Sequence, residues 1–272
     1  MATTAPLQTV PAQPAEGKMW RRVLAYWLIV YRQNWRSSAF SSFLTPLLFL
    51  GAMGYLLGPL VDSGARGGIP GVEYVAFLAP GILAAQAMMS GVNDSTFTVM
   101  AGVKWRKFYL AMLATPLGVR DVLLGHLAFV FVRLVLTSTA FLLIAFALGA
   151  ISGWGALLAL PVAVLTGMAF VTPVFAFSVS QRDGTSFNML LRIGVMPLFL
   201  FSGTFFPTDQ LPGWFEPIPW LTPLAHGIEL CRDLALGTAS VGMATLHLGY
   251  IALWLVVGFW LATWAFRRRL VV

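Results

Sequence analysis

The chain has 272 residues, 58% of them hydrophobic and 10% charged, with a mean hydropathy of +0.82 and a formal net charge of +7. Ordinary soluble domains carry about 25% charged residues, so this composition excludes a soluble fold and describes an integral membrane protein. Runs such as FLLIAFALGA at 141–150 are apolar on every side rather than alternating, which excludes a β-barrel and predicts an all-α bundle.

Residues 1–17, MATTAPLQTVPAQPAEG, hold no basic segment leading into an apolar core. No cleaved signal peptide is expected, and they read as a short disordered cytoplasmic tail. Residues 18–37 read as an amphipathic interfacial helix. At about 100° per residue, Lys18, Arg21, Arg22, Arg32, Gln33 and Arg36 share one face, and Trp20, Leu24, Trp27, Leu28, Tyr31 and Trp35 the other. The apolar face is expected in the cytoplasmic leaflet, the basic face against lipid phosphates or an acidic partner.

Residues 38–272 follow as a six-helix membrane domain. Spans of about 20 residues are expected at roughly 40–59, 74–98, 122–149, 155–179, 188–206 and 244–266. In the first, Gly51, Gly54 and Gly58 permit close helix approach, contact between subunits included. In the second, Gln86, Asn93, Asp94 and Ser95 lower the apolarity and turn one face toward protein. Between spans two and three, Lys104, Trp105, Arg106, Lys107 and Phe108 open a short helix expected over 104–114, which runs through Leu113 to a break at Thr115 and Pro116. Such a segment either receives force from below the membrane or is an ordinary basic loop.

After the fifth span the pattern changes abruptly. Pro207, Pro212, Pro217, Pro219 and Pro223 each remove a backbone donor and restrict the residue before, so no continuous helix crosses 206–223. The stretch nevertheless keeps Phe205, Phe206, Leu211, Trp214, Phe215 and Trp220. Aromatic rings settle at headgroup depth, so 206–233 reads as short re-entrant helices that cap the bundle externally. His226 and Glu229 share a face of the helix that begins at Pro223.

Thirteen of the seventeen basic residues fall before span one, between spans two and three, after span four or after span six. By the positive-inside rule that side is cytoplasmic and both termini lie there. Scattered juxtamembrane cations of this kind make no nucleic-acid surface. Within the spans, Asp94, Arg133 and Arg192 are expensive in lipid and stand at similar depth, so Asp94 is expected to pair with an arginine unless the arginines snorkel to phosphates.

Other chemistry is missing. No GxxxxGK[ST] occurs, so this chain hydrolyses no ATP by that route. His126, His226 and His247 fall in separate segments without metal-ligand spacing, and Cys231 stands alone, so no metal site and no disulfide are expected.

The order of basic amphipathic helix, six spans, the cytoplasmic KWRKFYLAMLATPLGVRDVLLG, and LFLFSGTFFPTDQLPGWFEPIPWLTPLAHGIELCRDLALG before the last span resembles the permease subunits of type-2 ABC exporters. It is most similar to the lipo-oligosaccharide and anthracycline-resistance branch. The most specific parts are Ser202, Gly203, Phe206, Pro207, Leu211 and Pro212, then Pro223, His226 and Glu229. The resemblance implies two permease protomers on two separate ATP-binding subunits, which hold ATP and magnesium, with no cofactor on this chain. It implies a gate role for the amphipathic helix (Trp20, Arg21, Arg22, Trp27, Arg32, Trp35, Arg36), a coupling helix within 101–118 and a re-entrant exit gate. The cargo would be an amphipathic lipid, glycolipid, oligosaccharide or hydrophobic drug. Fourteen arginines against three lysines suit a GC-rich bacterial genome and hence a bacterial inner membrane. The rival readings are an intramembrane lipid-modifying enzyme and a non-transporting membrane scaffold.

Overall fold

The computed structural model describes residues 18–63, 72–181 and 183–270, and every regular element among them is helical. The expected tail at 1–17 and most of the glycine-rich loop at 61–71 lie outside these residues. First in chain order, α1 (Trp20–Phe49) runs through a π-helical stretch, Leu50–Leu57, into α2 (Gly58–Asp62). Then α3 (Tyr74–Ser95) is followed by α4 (Phe97–Met100), a π-helical Ala101–Trp105 and α5 (Phe108–Leu113). Next come α6 (Val119–Ala147) and α7 (Gly155–Ser180), and after them α8 (Thr185–Met189), π-helical Leu190–Val195 and α9 (Met196–Phe201) as one run. The chain closes with α10 (Pro217–Trp220), α11 (Pro223–Leu236) and α12 (Val241–Leu270).

Among the described residues four stretches are long and apolar enough to cross a membrane: Tyr74–Trp105, Val119–Ala147, Gly155–Ser180 and Val241–Leu270. Two shorter apolar helices, Leu47–Asp62 and Thr185–Phe201, stand where the first and fifth spans are expected. At about 1.5 Å per residue the second of these reaches about 25 Å, less than the roughly 30 Å hydrocarbon layer. It begins three residues before the expected 188 and stops at Phe201 rather than 206, because a turn at Ser202 and Gly203 ends it.

The N-terminal helix departs further from expectation. Residues 33–43 contain neither proline nor glycine, nothing breaks the winding at residue 37, and the basic helix and first span form one continuous rod from Trp20 to Asp62. Only part of its apolar face is left for lipid, with Leu28 and Trp35 exposed. Val23 and Trp27 are buried against α6, where Val23 lies over Gly125 and Trp27 stacks on His126 and Phe129. A tryptophan stripe is amphipathic whether it meets lipid or protein, so helical periodicity does not tell the two apart.

Lipid tails are as apolar as leucine, so helices in a bilayer associate through close packing and polar contacts rather than by escape from water. The chain uses both. A Cβ at Gly54 would stand 2.7 Å from Val75 Cγ2, so this glycine brings the first rod against α3 within one chain, not against another subunit. Asp62 at the top of the same rod accepts the Tyr74 backbone N–H at 3.2 Å. α3 is the central helix, buried on nearly all sides and packed on α7, α6 and α11. One apolar core, including Leu78, Ile82, Met88, Phe141, Phe199, Leu224 and Ile228, fills the proline-rich end. A second, with Trp27, Tyr109, Leu123, Phe129, Phe175 and Phe266, fills the basic end.

Candidate functional site

At the basic end α5 hangs beside the bundle. The helix that contains α3 continues as far as Trp105, so Lys104 and Trp105 belong to it and not to a helix over 104–114. Lys107 then takes a left-handed backbone, φ 51°, which reverses the chain and starts α5 at Phe108. A bulky residue with positive φ is uncommon, and here the packing of the next two side chains holds it. Tyr109 is fully buried, and its hydroxyl lies 2.5 Å from His126 Nδ1. His126 is sandwiched between Trp27, 4.1 Å away and stacked, and the edge of Phe175. Phe108 meets Trp27 edge-on at 5.2 Å. Asp121, also buried, accepts the Met19 N–H at 2.6 Å and the Gly118 N–H at 3.1 Å. These contacts bind α5, the start of α1 and the start of α6 into one unit.

The sequence-predicted coupling residues therefore divide. Phe108 and Leu113 are half-buried and turned into the aromatic cluster, whereas Trp105 is 64% exposed and Arg106, Lys107 and Pro116 are exposed as well. Lys104 is half-buried. Leu110 is an exposed apolar residue on the outer side of α5 that sequence reasoning passed over, and its position one residue after the buried Tyr109 was the available signal. On the N-terminal rod Arg21, Arg22, Arg32, Trp35 and Arg36 are exposed, while Trp20 is half-buried.

Among the intramembrane charges, Arg133 Nη1 stands 2.5 Å from Asp94 Oδ1, and its guanidinium lies 5.9 Å from the Tyr31 ring. The pair links α6 to α3 beside α1. Arg192 is exposed, and among the described residues it has no ion-pair partner.

The proline-rich end is built around a residue that sequence reasoning does not single out. Arg232 of α11 is buried and donates to three acceptors: the Phe77 carbonyl at 3.3 Å, the Gly203 carbonyl at 2.7 Å and the Glu229 carboxylate at 2.9 Å. Its guanidinium also covers the Phe77 ring at 3.6 Å. Gly203, at φ 87°, turns the chain from α9 into the cap and presents that carbonyl. The i, i+3 spacing of Glu229 and Arg232 was the sequence signal. Tyr74 donates to the Phe205 carbonyl at 3.1 Å and fixes the next residues. Pro212 and Trp214 are exposed, Phe206, Pro207 and Leu211 half-buried, and Pro223 buried. No helix runs continuously through 207–233; a 3-10 turn, α10 and α11 take its place.

His226 does not bond Glu229. Its Nε2–H donates to the Trp220 carbonyl at 3.0 Å, leaving Nδ1 as an acceptor 2.8 Å from His247 Nδ1, which then carries the proton. Tyr250 stacks on His226 at 4.1 Å. Two histidines that the sequence separates by a whole helix end thus meet between the cap and α12, and only three-dimensional contact could reveal it. Among the described residues no group of three potential metal ligands gathers.

Burial pushes the His226 imidazole below its ordinary value of 6.5, the Trp220 carbonyl opposes this, and His247 reinforces it. A base whose folded value is depressed favours its neutral form, so the linked stability is complete above about 6.5 and falls as pH drops below it toward the lowered value. Hydrogen-exchange protection of α10 and α11, corrected for the intrinsic pH dependence of amide exchange, is therefore expected to fall between about pH 7.5 and 5, and a His226→Gln variant to lose most of that dependence. Equal pH dependence in both proteins would remove His226 as its source.

The sequence profile described as ABC-2 type transporter matches residues 19–236 of this chain. Nodulation protein J of Rhizobium meliloti (strain 1021) is 33% identical over 268 residues, covering 96% of this chain and 97% of the relative. Nodulation protein J of Neorhizobium galegae is 34% identical over 257 residues, covering 91% and 95%. The daunorubicin resistance ABC transporter permease protein DrrB1 of Streptomyces coeruleorubidus is 26% identical over 240 residues, covering 82% and 75%.

Proposed function

As the chain belongs to the ABC-2 type transporter family, we propose that this multi-pass membrane permease forms, with a second permease protomer, the pathway of an ATP-driven exporter. Separate ATP-binding subunits hold the ATP and magnesium, since this chain carries no phosphate-cradling motif. The cargo is amphipathic: a lipid, glycolipid, oligosaccharide or hydrophobic drug. The membrane is a bacterial inner membrane, with the basic end and both termini cytoplasmic.

The observation that carries this reading is the exposed tip at the basic end, Trp105, Arg106, Lys107, Leu110 and Pro116. It is polar enough to meet a soluble subunit, and Tyr109 and Phe108 root it in the bundle, so a push on the tip reaches α1 and α6 together. Buried interface aromatics carry about 2 kcal/mol or more. Replacing Trp105 and Leu110 by alanine is expected to lower recovery of the ATP-binding subunit roughly tenfold or more, with membrane insertion unchanged. Full recovery from equally inserted protein would return the tip to an ordinary loop. A purified chain that never brings down a Walker A protein would count against the exporter itself.

Orientation has its own test. Cys231 is buried, and burial pushes its thiol well up, so the native cysteine is silent toward maleimides. Ser63 and Thr238 are exposed near the proline-rich end. Cysteine at either position is expected to react with an impermeant reagent in intact cells, and cysteine at Arg268 only after lysis. The opposite pattern would invert the topology.

A further inference from the structure

The run Thr185–Phe201 has an exposed face unlike those of α6 and α12 in their middle turns. Its outward positions include Asn188, Met189, Arg192, Ile193, Met196 and Leu200. The half nearer the basic end thus carries an amide and a guanidinium four residues apart, on one side of the helix. The other half is apolar. By contrast, the exposed positions of α6 between Phe131 and Ala147 are all apolar, as are those of α12 between Leu246 and Trp264. Those two faces have the composition that lipid contact requires. An ionisable side chain at membrane depth almost always faces protein or a water-lined cavity, so this face has a different neighbour. Arg133 has its counter-ion in Asp94, whereas Arg192 has no ion-pair partner among the described residues.

We propose that this face receives the polar head of the transported amphipath at Asn188 and Arg192, with its tail lying along Met196 and Leu200, and that the preferred head is anionic. The assignment rests on the export-permease reading and adds the charge class of the cargo to it. A guanidinium offers a planar fork of donors matched to carboxylate, sulfate or phosphate oxygens. With no carboxylate beside it, the same group repels a cationic head, and like-charge juxtaposition is an efficient means of rejection. The order of groups along the helix, polar toward the basic end and apolar beyond, fits a molecule entering from the cytoplasmic leaflet.

The test uses the permease with its ATP-binding subunit in phosphatidylcholine nanodiscs. Three probes share one tail: dodecyl phosphate, dodecyl maltoside and dodecyltrimethylammonium, each below its micellar concentration. Equilibrium binding is read alongside stimulation of ATP hydrolysis. Dodecyl phosphate is expected to bind at least tenfold more tightly than dodecyltrimethylammonium. Arg192→Lys should keep that order, Arg192→Gln should collapse it, and Arg192→Glu should reverse it, all with unchanged complex assembly, since the position is exposed. An order unaffected by Arg192→Gln and Arg192→Glu would overturn the proposal and leave Arg192 anchored to lipid phosphates. Absence of ATP hydrolysis in the unmodified complex would count against the exporter reading, while the binding order still decides the head-group assignment.

Discussion

Replacing Arg232 by methionine is expected to abolish accumulation of folded protein, or to lower its melting temperature by more than any other single change in the cap. The side chain is buried, and its removal leaves the carbonyls of Phe77 and Gly203 without their donor. Each unsatisfied buried group costs about 1–3 kcal/mol, and the contact with the Phe77 ring goes as well. Glu229 is partly exposed and would recover water, so its loss adds less. Arg232→Lys is expected to fail nearly as badly, because one ammonium cannot meet acceptors spread around a planar fork. Fluorescence-detected size exclusion after heating measures both variants. A methionine variant with a wild-type melting curve would show that the cap is held by its prolines and aromatics alone.

Pinning the cap is expected to stop export altogether while leaving the complex assembled. Trp214 is 77% exposed in the proline-rich segment, between the Phe205 and Arg232 hydrogen bonds that tie the cap to α3. If this segment narrows the outer exit, it must move for cargo to leave, and segments that move are drawn from the less stable part of a fold. A cysteine at Trp214 crosslinked to the partner protomer should reduce transport to background, with ATP-binding subunits still recovered. Reduction of the crosslink should restore it. Undiminished transport in a quantitatively crosslinked complex would end the exit-gate role.

The all-helical membrane class was legible because composition and continuous apolar runs report solvent, and the break at 206–223 because proline removes donors wherever it sits. Direction was harder to read. Trp27 looked like a lipid anchor and Phe108 like a docking residue, yet both point into one aromatic cluster. Aromatic rings satisfy lipid, a partner chain and the chain's own core equally, so periodicity marks a face without naming its neighbour. The carbonyl partners of Arg232 and the contact of His247 with His226 were not readable, since Phe77 and Gly203 converge on Arg232 from distant parts of the chain and the two histidines lie on different helices. The π-helical stretches have no composition of their own, and Leu50–Leu57 reads like any apolar helix.

The winding of Leu50–Leu57 sets an azimuth. A turn closed from residue i to i+5 holds one more residue than an α-turn, so everything above Leu57 is rotated relative to an unbroken α-helix. Asp62 faces the Tyr74 N–H only because of that offset. Deleting one residue within 50–57 would take out that surplus residue, so the stretch could relax to α winding with Asp62 keeping its facing, whereas a deletion in an α-wound part of the rod would swing everything beyond it by about 100°. The same deletion would leave Val23 and Trp27 seated on α6. The rod thus has one stretch where the loss of a single codon is absorbed with both facings kept, while the same loss elsewhere along it would turn one end against the other.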